Sequence, residues 1–112
     1  MHELALMESL LVAIEESAAA HGIRRVTAAR LVVGEFTAAL PEALEFAFEA
    51  LSPGTVMDGA TLTMTLEEAQ ARCRACGHEY HPPVYRLACP ACGGPPEVLK
   101  GKELYLDYYE GE

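Results

Sequence analysis

Leu4, Met7, Leu11, Ile14 and Ala18 recur at steps of three and four residues, with Glu8, Glu15 and Glu16 between them. That period predicts an amphipathic helix over residues 3–20. Glu3 falls in its first turn, where a carboxylate suits the positive end of the helix dipole, and His21-Gly22 supplies a C-terminal stop. Residues 24–36, rich in Val, Ala and Leu, read as a strand. Pro41 opens a second helix with Leu44, Phe48 and Leu51 as its apolar stripe, and Ser52-Pro53-Gly54 ends it. From Thr61 to Glu68 the period falls to two: Leu62, Met64 and Leu66 alternate with Thr63, Thr65 and Glu67, as in a half-buried strand. The alternation returns in Leu104, Leu106 and Tyr108 against Tyr105, Asp107 and Tyr109, a third strand of the same sheet.

Residues 70–100 follow neither period and hold all four cysteines. The pattern predicts an α+β fold: two helices packed on a small three-stranded sheet, with an inserted four-cysteine zinc ribbon. The expected division is one domain of residues 1–69 plus 101–112 and a second of residues 70–100.

The cysteines stand as Cys73-x2-Cys76 and Cys89-x2-Cys92, twelve residues apart, each pair followed by glycine. Two-residue spacing aims both thiolates of a pair at one ion, and glycine permits the tight turn behind it. Two such pairs make a closed tetrahedral site with no open position, so its expected role is structural, with Zn2+ ahead of a rubredoxin-like iron. Thiol redox chemistry is the weaker reading, because thioredoxin-type sites use one such motif. His78, two residues past Cys76, could replace a cysteine if the site changed ligands, while His81 reads as a loop residue.

Composition narrows the function. In 112 residues, 17 acids against 8 Lys and Arg give a net charge of -9, which disfavours gripping nucleic acid or an anionic membrane. A chain this short buries only about two thirds of its unfolded surface, so a metal clip has a stabilising role to fill. Paired cysteines, an acidic start without a signal-peptide basic region and no membrane-length apolar run point to the cytoplasm. The charge is uneven: residues 70–100 carry Arg72, Arg74, Arg86 and Lys100 against Glu79 and Glu97. That surplus reads as balancing an anionic zinc tetrathiolate.

At the other end, the amine of Met1, the amide nitrogens of His2 and Glu3 and the His2 imidazole can close fused chelate rings on one ion. Nitrogens in a plane suit Ni(II) or Cu(II) better than zinc. The Glu3 carboxylate is a further candidate ligand, or an acid supporting the site.

Together these features resemble the hydrogenase nickel-incorporation metallochaperones of the HypA/HybF family. The resemblance rests on Met1-His2-Glu3, the stretch Gly34 to Phe48 through Pro41-Glu42-x-Leu44, the two cysteine pairs with Cys89-Pro90-x-Cys92-Gly93, and Gly101-Lys102-Glu103-Leu104. It implies a non-enzymatic carrier that binds Ni2+ through Met1, His2 and Glu3, with structural Zn2+ on Cys73, Cys76, Cys89 and Cys92. It also implies delivery to the [NiFe]-hydrogenase large subunit together with a maturation GTPase (HypB). Gly93-Gly94 stand where some members have a second histidine, and Leu40 where some carry an acid, so neither a symmetric Cys-to-His exchange nor an extra carboxylate ligand is expected. The sequence is compatible with a monomer or a dimer. The alternative is a zinc-ribbon protein- or nucleic-acid-interaction module with an idle N-terminus, distinguishable by salt-sensitive binding to random DNA.

Overall fold

The computed structural model describes residues 3–83 and 85–112. Helix α1 spans Glu3–Ala20. Met7, Leu11, Ile14 and Ala18 are buried, whereas Leu4 is 50 % exposed, so the buried stripe begins one turn later than the spacing predicted. At 18 residues α1 is about 27 Å long, and α2 (Pro41–Leu51, 11 residues) about 17 Å, so α2 cannot cover α1 from end to end. The stop after α1 is as expected: Ile23 N–H donates to Ala18 O at 2.8 Å and Gly22 N–H to Ala19 O at 3.4 Å, the two bonds of a Schellman ending.

Strand β1 (Val26–Gly34) is the middle strand of a three-stranded sheet in the order β2-β1-β6, with β2 at Thr61–Glu67 and β6 at Leu104–Gly111. Residues 31–34 of β1 are buried in succession, as in a strand covered on both faces. β1 stops short of the predicted Phe36 because Glu35–Thr37 turn into a 3-10 helix, with the Thr37 hydroxyl donating to Gly34 O at 2.8 Å. β1 and β6 run antiparallel: Gly34 N–H donates to Glu103 O at 2.9 Å near one end, and Glu112 N–H to Arg25 O at 2.9 Å at the other.

β2 lies at the sheet edge, where Leu62 and Met64 are half-buried but Leu66 is 60 % exposed. In β6 the predicted alternation fails at its end. Tyr108 is exposed, and Tyr109 is the more buried of the two because its hydroxyl lies 2.6 Å from that of Ser17 on α1. α2 starts at Pro41 and buries Leu44, Ala47 and Phe48. Together with Met57 and the β1 residues Val26, Ala29, Leu31 and Val32, these side chains form the apolar core.

The cysteine segment builds a second sheet in the order β4-β3-β5, from Gln70–Cys73 (β3), Glu79–Tyr80 (β4) and Pro96–Lys100 (β5). Both outer strands are antiparallel to β3. The chain divides into two compact units, one of Met1–Val32, Ala38–Thr65 and Tyr105–Glu112, the other of Val33–Thr37 and Leu66–Leu104. The second unit takes in the 3-10 turn because Phe36 N–H donates to Gly101 O at 2.7 Å and the Glu35 carboxylate accepts Ala69 N–H at 2.8 Å. No helix among the described residues is long and apolar enough to cross a membrane.

Candidate metal centre

Cys73 ends β3, and the chain then turns back on itself so that Gly77 N–H donates to Cys73 O at 3.0 Å. The second pair repeats the turn, with Gly93 N–H donating to Cys89 O at 2.8 Å. Gly77 and Gly93 have φ of 78° and 75°, the left-handed region that a side chain disfavours. Each turn aims backbone amides at the leading sulfur: Ala75 and Cys76 N–H reach Cys73 Sγ at 3.3 and 3.4 Å, and Ala91 N–H reaches Cys89 Sγ at 3.4 Å.

The four sulfurs lie within 4.8 Å of one another. Cys73 and Cys92 are 3.4 Å apart and Cys76 and Cys89 3.7 Å, far longer than a disulfide of about 2.05 Å. Four thiolates at about 2.3 Å from a tetrahedral zinc would stand about 3.8 Å apart, so the donor set and its spacing fit such an ion. Cys73 and Cys89 are buried, while Cys76 and Cys92 reach the surface. Among the described residues this is the only group of three or more metal-ligating side chains gathered so closely.

The sulfurs do not ionise alike. The Cys76 amide, helped by that of Ala75, holds the Cys73 thiol down to about 6 against burial. The Gly94 amide likewise favours the Cys92 thiolate, but the neighbouring sulfurs of Cys73, Cys76 and Cys89 and burial outweigh it and push Cys92 up to about 12. Four sulfurs this close cannot all carry charge without a cation, and filling the site must therefore release protons.

Sequence reading missed one packing residue. Gly93-Gly94 looks like a turn signal, yet a Cβ on Gly94 would lie 2.8 Å from Cys73 Sγ, 3.0 Å from Ala75 Cβ and 3.2 Å from Cys92 Sγ. Gly94→Ala is expected to push the sulfurs apart and weaken metal retention by roughly tenfold or more, about 1.4 kcal/mol. Competition with a chromogenic chelator measures it, and unchanged retention would contradict the geometry.

The arginines of the segment also have local partners. Arg72 lies between two carboxylates on its neighbouring strands, 3.9 Å from Glu79 and 4.0 Å from Glu97, because the sheet register sets it opposite both. Arg74 donates to Pro96 O at 3.3 Å. Arg72 thus bridges the two strands that flank β3, and Arg74 ties its turn to β5. His78 stacks on Tyr80 with ring centroids 5.9 Å apart, and Tyr80 donates its hydroxyl to Leu87 O at 2.6 Å.

His81 has a partner that no local motif announces: its Nε2 lies 2.8 Å from the Glu35 carboxylate oxygen that accepts Ala69 N–H. The bond to Glu35 raises His81 above its ordinary 6.5, and the nearby Glu68 adds to this. The Ala69 amide, and then His81, hold Glu35 below its ordinary 4.5. His81 therefore stabilises the fold fully below pH 6.5 and loses that contribution as pH rises through its raised value. Glu35 contributes above 4.5 and loses it as pH falls through its lowered value. The His81 ring protons, followed by NMR, should titrate above 6.5, and Glu35→Gln should bring the midpoint back toward 6.5. A midpoint unmoved by Glu35→Gln would show that the pair does not hold.

The predicted N-terminal site is only partly in view. Met1 and His2 lie outside the described residues. Glu3 opens α1, and its carboxylate accepts the Leu40 N–H at 3.1 Å. Leu40 is the cap of α2 and offers no side-chain oxygen, so Glu3 supplies the negative charge that the start of α2 favours.

A family model described as hydrogenase/urease nickel incorporation, metallochaperone, hypA matches residues 1–111. The hydrogenase maturation factor HypA of Moorella thermoacetica is 40 % identical over 113 residues, covering 100 % of both chains. That of Desulfitobacterium hafniense is 38 % identical over 113 residues, covering 100 % of this chain and 99 % of the relative. Among solved structures, the solution structure of the Ni metallochaperone HypA from Helicobacter pylori aligns with a TM-score of 0.73 at 23 % identity, covering 99 % of this chain and 97 % of that one. A second HypA solution structure gives 0.75 at 24 %, covering 100 % and 97 %. At these identities the two structures speak for the fold.

Proposed function

The chain belongs to the HypA family of hydrogenase/urease nickel-incorporation metallochaperones, and on that premise we propose that it carries Ni(II) at its N-terminus and delivers it during maturation of [NiFe]-hydrogenase. The observation that carries this reading is the closure of the cysteine site. Its four sulfurs turn on one another, which suits a resident ion and leaves no position for one that must be handed over. Cys73, Cys76, Cys89 and Cys92 would hold structural zinc, which ties residues 70–100 into a ribbon.

The cargo then needs other donors: the Met1 amine, the amide nitrogens of His2 and Glu3, and the His2 imidazole. The start of α1 favours such a set. A helix makes no intrahelical bond with the N–H of its first residue, so ligation by the Glu3 amide costs no helical hydrogen bond. The Glu3 carboxylate, on the Leu40 amide, would keep a negative charge beside the cation and ties the ligand-bearing terminus to the start of α2. A terminal site is reachable by an acceptor, as a carrier requires.

In this reading the protein catalyses no reaction, works in the cytoplasm, and has as partners the maturation GTPase (HypB) and the hydrogenase large subunit. The test is a Ni(II) titration of the full chain and of His2→Ala, with zinc content measured in both. Loss of tight nickel with zinc retained supports the reading, and equal nickel binding overturns it.

A further inference from the structure

Helices α1 and α2 carry Glu3, Glu8, Glu15, Glu16, Glu42, Glu45 and Glu49 and no Lys or Arg. Beside α1 lies a groove of about 300 Å³, with Leu11, Val12, Leu51 and Thr55 in its lining and Glu8 and Glu15 on its α1 side. Val12, one turn from Glu8 and most of a turn from Glu15, is 58 % exposed. Glu15 and Thr55 also line a second hollow, of about 450 Å³, with Ala19, Ile23 and Arg24 in its lining. From Glu8 to Ala19 the helix rises about 16 Å, which matches three turns of another helix laid alongside.

We infer that this groove receives an amphipathic helix of a protein partner, with a Leu or Ile stripe against Val12 and Lys or Arg residues beside Glu8 and Glu15. Such a helix presents apolar residues at three- and four-residue steps, the pattern a groove along one helix accepts. Its cations would meet carboxylates that no cation on α1 or α2 offsets, which steers encounter and fixes orientation. A second copy of this chain does not suit, because its own two helices would set like charges against each other. An anionic membrane is repelled for the same reason. The inference does not depend on where nickel is held.

The test uses the full chain and a synthetic helical peptide with leucines at i, i+3, i+4 and i+7 flanked by lysines, followed by amide chemical shifts. The largest shifts are expected at residues 8–15 and 51–55. Val12→Asp should weaken binding roughly tenfold, and Val12→Ala, which favours the helix, several-fold. Glu8→Lys should weaken it roughly threefold or more. Glu45→Lys, with the same change in net charge but outside the groove, should leave affinity within about twofold. Absence of binding, shifts spread over the acidic surface, insensitivity to the Val12 variants, or equal loss with Glu45→Lys would each overturn the assignment.

Discussion

Cys73→Ser, or removal of metal by a chelator, is expected to unfold residues 70–100 while leaving the helices folded. Cys73 ends the middle strand of the ribbon sheet and is 2 % exposed. The strands around it have four, two and five residues, and a sheet this small needs a hydrophobic face or another element to pack against before it is stable by itself. What stands in place of an apolar core is the sulfur cluster, and structural zinc supplies about 10–16 kcal/mol of apparent binding energy to such small units. Without a cation, sulfurs 3.4 and 3.7 Å apart must stay largely protonated. The helical unit has its own core in Met7, Leu11, Ile14, Leu31, Leu44 and Phe48. Amide exchange on the full chain should therefore show protection lost across 70–100 and kept in α1, β1 and α2. Collapse of protection everywhere, or nowhere, would contradict the ribbon's dependence on metal.

His2→Ala is expected to weaken nickel binding by roughly 100-fold or more, about 2.7 kcal/mol, with zinc content unchanged. In the proposed site the substitution would remove the imidazole and with it a chelate ring, and the remaining amine and amides could not fill a planar four-nitrogen set. The same donors make the site acid-sensitive. Amine, imidazole and amides must all lose protons to ligate, so nickel affinity should fall as pH drops below the ordinary α-amino range near about 8 and further below about 6.5, where histidine protonates. Isothermal titration across pH checks both, since protons released on binding appear in the buffer dependence of the heat. A variant with wild-type affinity, or binding indifferent to pH, would remove His2 from the site.

Much of this was legible in sequence because local rules and tertiary demands agree. The three-four spacing of Met7, Leu11, Ile14 and Ala18 and the stop at Gly22 define α1 in the structure as they do in the chain. The Val-, Ala- and Leu-rich stretch 24–36 contains the strand Val26–Gly34, and the paired cysteines meet because each x2 spacing with its glycine folds one way. What escaped were effects of partners distant in sequence. Leu4 and Leu66 look like core positions, yet they are 50 % and 60 % exposed. Arg72 meets Glu79 and Glu97 only because the sheet register sets both opposite it. His81 and Glu35, 46 positions apart, carry no shared motif. Gly94 looks like any turn glycine, and only the approach of Cys73 Sγ explains it.

The carrier reading turns on the N-terminal amine, and one comparison addresses it: Ni(II) titration of the protein beginning at Met1 against the same protein with two residues added before Met1. The addition leaves every side chain in place, including His2 and Glu3, and converts the Met1 amine to an amide. The account predicts one tight nickel per chain for the first protein and loss of that binding in the second, with zinc and amide protection in residues 70–100 the same in both. Equal nickel affinity in the two proteins would contradict it.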